Sequence, residues 1–206
     1  MSKGNYILSL WLFSVFMVFL GTGNTYAQSS GFKDNIFPVE KLTPRDSVLT
    51  LKVGDSAPDF TLPAVEGGKI TLSQYREEKN VVISFVPAAW TPVCSDQWPG
   101  YNLAHDLFVK NDAILLGITV DNTPTLYSWN KQMCDPGEKL WFPVLSDFYP
   151  HGEVASKYGV LRSTGVSERA LFVIDKKGVI RYIDVHDINQ RPPLDELAAA
   201  LEKLNQ

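Results

Sequence analysis

The chain has 206 residues, room for one domain plus an N-terminal extension. With 45% hydrophobic and 20% charged residues and a net charge of −4, it is neither a disordered chain nor one with a basic surface for nucleic acid. Its two cysteines, Cys94 and Cys134, are too few for a disulfide scaffold, and neither has a second Cys or a His at zinc-ligand spacing, so no metal or other cofactor is expected.

Lys3 precedes an apolar run from Tyr6 to Leu20, then small and polar residues ending Thr25-Tyr26-Ala27. That pattern resembles a secretory signal peptide over residues 1–27, cleaved after Ala27 to give a periplasmic or secreted protein. The run is short for the roughly 20 residues of a bilayer span, so an uncleaved membrane anchor is the less favoured alternative. Residues 28–50 mix Ser, Asp, Lys and Pro without periodicity and read as a linker, leaving one domain over 51–206.

Within that domain "APDFTL" (Ala57 to Leu62) alternates as a strand does, and Gly67-Gly68 turns the chain into "KITL" (Lys69 to Leu72) as its hairpin partner. "NVVISFV" (Asn80 to Val86) and "AILLGITV" (Ala113 to Val120) are near-continuous apolar runs, the pattern of strands buried on both faces. A helix is expected over Ser95 to Lys110. A second is expected to start with Thr123 as cap and Pro124 at its first position, and to stop near Cys134 at Asp135-Pro136-Gly137. A strand at Phe142 to Leu145 and a helix at Gly152 to Tyr158 follow. Strands at Ala170 to Ile174 and Val179 to Ile183 flank "DKKG", where Gly178 supplies a positive φ. "LDELAAALEKL" (Leu194 to Leu204) closes the chain as an amphipathic helix. The order predicts an α/β fold, a central mixed sheet flanked by helices on both faces.

The chemistry concentrates in "PAAWTPVC" (Pro87 to Cys94), which leaves a buried strand and enters a helix. With Cys in place of Thr91 it would read WCPVC, a thioredoxin-like dithiol. Cys94 falls in the first helical turn, where unpaired N–H groups and the helix dipole favour a thiolate. Position alone leaves an inert buried cysteine equally open. Thr91, three residues earlier, can donate to the thiolate while accepting from a peroxide, and Pro87 can shield the sulfur without a competing N–H.

Pro87, Thr91 and Cys94 reproduce the P-x-x-x-T-x-x-C signature of the peroxiredoxins, thiol peroxidases of thioredoxin-like fold, which the chain resembles from Val53 to Leu204. "VGDSAPDFTL", "FPVLSD" and "ERALFVIDKKGVIRY" share in the likeness. "WTPVC" and "HGEVASKYGV" look most like the alkyl hydroperoxide reductase E and bacterioferritin-comigratory branches. The resemblance implies Cys94 as nucleophile, with Pro87, Thr91 and an arginine matched by Arg169. Without it, Arg169 reads as a solvated charge at a strand end, and nothing ties Arg162 to the site. Gln97 stands where many members carry Glu; its amide can still accept from Arg169 but brings no charge. Trp90 and Trp98 flank the site; they can line its mouth, but core packing is the favoured assignment for each.

The resemblance also implies a peroxide substrate and a thioredoxin-like or other dithiol reductant, in a monomer or small homo-oligomer. Cys134 is the candidate resolving cysteine; a one-cysteine mechanism with an external thiol is the alternative. The rival functions are a disulfide-exchange or cytochrome-maturation protein, which would need a second nucleophile where Thr91 stands, and a non-catalytic module on the same fold.

Overall fold

The computed structural model describes residues 30–134 and 138–205. The expected leader and the Asp135-Pro136-Gly137 break lie outside the described residues.

Five strands form one mixed sheet in the order β5-β4-β3-β6-β7. They are β3 (Asn80–Phe85), β4 (Ala113–Thr119), β5 (Val144–Ser146), β6 (Arg169–Ile174) and β7 (Ile180–His186). β3, β4 and β5 run parallel, while β6 is antiparallel to both β3 and β7. Side chains alternate between the two faces, as the two-residue strand period requires. Val82, Leu115, Val144, Leu171 and Val173 share one core with Trp98, Phe108, Trp129 and Leu197. Val81, Ile83, Phe85, Leu116 and Phe172 share the other with Phe60, Leu62, Val154 and Tyr158. Helices α2 (Pro92–Leu103), α3 (His105–Lys110), α4 (Thr123–Met133) and α6 (Leu194–Glu202) therefore cover the first face, and α5 (Glu153–Lys157) lies on the second. The mixed sheet with helices on both faces is the architecture expected.

The differences from the sequence reading are local. β1 (Thr61–Pro63) pairs antiparallel with β2 (Lys69–Thr71), but the strand expected from Ala57 starts only at Thr61. Pro58 has no N–H for a ladder, and the Ala57 N–H goes instead to the Gly178 carbonyl. Gly178 has the positive φ the turn needs, 79°. The single helix expected over Ser95 to Lys110 is two helices, parted at Ala104 (φ −90°, ψ 20°), and the first begins earlier, at Pro92. The cap of α4 is Asn122, one residue before the expected Thr123; its side chain accepts from the Thr125 N–H at 3.0 Å.

The segment read as a linker is a strap. α1 (Ser30–Asp34) places Phe32 in the core, 2% exposed, and the chain beyond it is hydrogen-bonded along the body as far as Ser47. Its anchors are polar groups distant in sequence, which composition and periodicity do not reveal.

Candidate active site

β3 delivers the chain into the loop Pro87 to Thr91, which is tied on two sides. The Ala89 N–H donates to Asp121 Oδ2 at 2.8 Å, and Asp121 also accepts from Thr119 Oγ1 at the end of β4. The Trp90 carbonyl accepts from the Phe37 N–H of the strap at 2.7 Å. Trp90 has φ 62°, unusual for a bulky residue, so the loop adopts a costly backbone angle just before the helix. Thr91 then occupies the N-cap of α2 and Pro92 its first position, where the missing N–H costs no hydrogen bond.

Cys94 is thus the third residue of α2, in the first turn as expected, with a buried free thiol. Arg169, at the start of β6 and 2% exposed, brings Nη2 to 3.5 Å from its Sγ. The guanidinium is held by neutral oxygens. Gln97 Oε1 accepts from Nη1 at 2.5 Å, and the Ile188 carbonyl accepts from both Nε and Nη2. Arg169 is therefore no solvated charge at a strand end.

Gln97 accepts as foreseen and also donates. Its Nε2 lies 3.3 Å from both Ser84 Oγ and Tyr101 Oη, which fixes the amide orientation. Ser84 accepts as well from Trp98 Nε1 at 3.2 Å. Burial pushes the Tyr101 hydroxyl well above its ordinary range, keeping it neutral beside Arg169. Sequence reasoning missed Ser84 and Tyr101. The signal for Ser84 was available: a hydroxyl inside the apolar run "NVVISFV" needs a buried partner.

One expectation changes. Thr91 does not direct its hydroxyl to sulfur here: Oγ1 donates to the Ala88 carbonyl at 2.9 Å. A hydroxyl oxygen keeps lone pairs while donating, so Thr91 can still accept from a peroxide, but donation to the thiolate would mean giving up the bond to Ala88. Trp98 is core rather than mouth. It is fully buried, packs on Trp129 at 5.0 Å between centroids, and lies so close to Gly117 that a Cβ there would stand 2.8 Å from its ring. Trp90 is half-buried and packs against Phe32 of the strap.

Arg162, which the sequence left unconnected, anchors the strap beside the site. It is buried against Glu168, Nη1 to Oε2 at 2.5 Å, and its Nη2 donates to the Thr43 carbonyl. Glu168 Oε1 accepts from the Asp46 and Ser47 N–H groups at 2.7 and 2.8 Å. Ile188 links this strap to the catalytic candidates, since its N–H donates to the Pro44 carbonyl while its own carbonyl holds Arg169. Pro87 is buried and lines, with Thr91 and Arg169, one groove of the surface. Cys134 is the C-cap of α4, half-buried against the core cluster that contains Cys94. Among the described residues no group of three His, Cys, Asp or Glu is placed to hold a metal ion.

A buried thiol in a first helical turn, faced by a guanidinium whose other contacts are neutral, can be stabilised as a thiolate and can have a polar substrate oriented against it. Residues 53–183 match the AhpC/TSA family. The chain is a peroxiredoxin of that family. It is 37% identical over 154 residues to alkyl hydroperoxide reductase E of Mycobacterium bovis, covering 72% of this chain and 97% of the relative. A reduced 2-Cys peroxiredoxin of Plasmodium vivax superposes with a TM-score of 0.69 at 27% identity, over 75% of this chain and 82% of the other. Peroxidoxin BcpB of Mycobacterium tuberculosis does so with 0.64 at 26% identity, over 76% and 99%. This peroxiredoxin has the family's thioredoxin-like fold and is a thiol-dependent peroxidase.

Proposed function

We propose that this peroxiredoxin reduces hydrogen peroxide or organic hydroperoxides through Cys94, outside the cytoplasm. The observation that carries the choice of cysteine is the Arg169 guanidinium 3.5 Å from Cys94 Sγ, held by Gln97 and Ile188 with no carboxylate among the described residues to neutralise it. The Cys94 thiolate attacks the terminal oxygen of R–O–OH. The S–O bond forms as the O–O bond breaks, sulfur is oxidised by two electrons to the sulfenic acid, and RO⁻ takes a proton and leaves as water or alcohol. Arg169 stabilises the thiolate and the charge passing to the leaving oxygen; Thr91 accepts from the peroxide; Pro87 keeps a competing N–H away from the sulfur.

The Cys134 thiolate then attacks the Cys94 sulfenic sulfur, forming a disulfide as hydroxide leaves and is protonated to water. A thioredoxin-like dithiol partner reduces the bridge. Its place at the end of α4 supports this role, because a helix terminus opens more easily than a helix centre. The basic start and the apolar run from Tyr6 to Leu20 support export.

Stopped-flow mixing of reduced protein with peroxide tests the reading. Cys94→Ser should abolish the fast phase. Cys134→Ser should keep that phase but let the sulfenic acid persist and over-oxidise. A fast phase surviving in Cys94→Ser would remove the assignment. Normal turnover of Cys134→Ser with an external thiol would leave the first step and replace the second.

A further inference from the structure

The strap holds apolar side chains in the open beside the buried site. Phe37 is 67% exposed, Val39 42% and Leu42 39%. Their backbone is nonetheless pinned at both ends. The Phe37 N–H donates to the Trp90 carbonyl, and Leu42 makes a reciprocal pair with the Asn189 side chain, its N–H to Oδ1 and its carbonyl from Nδ2, both at 2.9 Å. Exposed apolar groups on a fixed backbone form a surface for something else to cover. With Pro87, Val93, Val166 and Ile188 they line a groove of about 490 Å³, within the range of small-ligand sites. Thr91 and Arg169 belong to the same lining, so the groove runs into the place where Arg169 meets Cys94. Its other charged members, Glu40 and Lys41, are exposed strap residues.

We infer that the strap segment Phe37–Leu42 is a specificity wall: it receives the apolar tail of an organic hydroperoxide and so delivers the –OOH group to Arg169 and Cys94. The inference rests on Cys94 being the peroxidatic residue. The occupant follows from the lining. Arg169 and Thr91 offer a cationic donor and a hydroxyl suited to the two peroxide oxygens, and most of the rest of the lining is carbon. Hydrogen peroxide uses only the polar end and gains nothing from the groove. Each methylene of a tail that leaves water for the groove is worth roughly fourfold in binding. The wall also explains why a segment with a linker's composition is tied down by Arg162, Glu168 and Asn189.

The test is single-turnover oxidation of reduced protein, which needs no reductant, with hydrogen peroxide, tert-butyl hydroperoxide, cumene hydroperoxide and linoleic acid hydroperoxide. Wild type is compared with the triple variant Phe37→Ser, Val39→Ser, Leu42→Ser, whose changes fall on exposed side chains. The expected result is a rate ratio, cumene or linoleic acid hydroperoxide over hydrogen peroxide, that falls at least tenfold in the variant, with tert-butyl hydroperoxide between. An unchanged ratio overturns the inference. So does an unchanged ratio accompanied by a raised KM for a thioredoxin-like reductant, which would give the groove to a protein partner. Wild-type protein inert to all four oxidants would instead sink the assignment of Cys94, and the wall with it.

Discussion

Two arginines lie buried within seven residues of each other and are used in opposite ways. Arg162 closes on a carboxylate, Glu168, and their pair is spent on holding strap backbone. Arg169 meets an amide and a carbonyl, makes no ion pair among the described residues, and turns one Nη2 hydrogen to sulfur. A buried cation without a carboxylate is costly, whereas one with its partner is closer to balance. The difference teaches where the fold keeps an unneutralised charge: beside the thiol. Neutral acceptors fix the direction of Arg169 without cancelling its charge.

The contrast breaks most severely if the open arginine is removed. Arg169→Met keeps length but deletes the charge and should lower the second-order rate of Cys94 oxidation roughly ten- to thousand-fold. Thr91→Val, which also deletes a polar group, should fall in the lower part of that range. Stopped-flow rates near wild type in both would mean the site geometry is misassigned.

Removing the partner of the closed arginine should act on stability first. Glu168→Gln leaves the buried Arg162 charge only its looser contact with Asp46, Nε to Oδ2 at 3.9 Å, and should cost about 3 kcal/mol by denaturant unfolding. A loss below about 1 kcal/mol would show that Arg162 is not held as a closed pair.

The neutral hold on Arg169 can be tested by its two natural replacements. Gln97→Leu removes the acceptor from Nη1 and should slow oxidation about tenfold. Gln97→Glu keeps an acceptor there but partly cancels the guanidinium charge, so its rate should fall between those of wild type and the Leu variant. A Glu variant as fast as wild type would mean that position, not neutrality, is what Gln97 contributes.

The smallest effect belongs to a charge cluster at the far end of the sheet. Asp112 is half-exposed and held by Lys176 and Lys79 at a carboxyl pKa lowered to about 2. Its folded pKa lies below the unfolded value, so its contribution is present above about pH 4 and is lost as pH falls toward 2. Asp112→Asn should therefore cost less than about 1 kcal/mol at neutral pH after solvent screening, and thermal melts should converge with wild type across that acid window. Asn also tolerates the positive φ of this position, 46°.

The large sheet was legible because its central strands are buried on both faces, and runs such as "NVVISFV" and "AILLGITV" have no other economical home. The order of helices followed from caps and breakers. The true start of α2 was hidden by Pro92, which reads as loop but sits at a first helical position. Pro87, Thr91 and Cys94 could be picked out by their spacing and Gln97 and Arg169 only through the family resemblance, yet the bond from Thr91 to Ala88 depends on a side-chain rotation that sequence does not encode. The strap was illegible for a different reason. Its anchors, Arg162, Glu168 and Asn189, stand 119 to 147 residues away and act through one or two backbone groups each, leaving no periodic trace.

The account stands or falls on whether peroxide oxidises Cys94 directly. Reduced Cys134→Ser protein should be given one equivalent of hydrogen peroxide with dimedone present, and its peptides mapped by mass spectrometry. The prediction is a dimedone adduct on Cys94 in nearly all the protein. An unmodified Cys94 thiol after the peroxide has been consumed would contradict it.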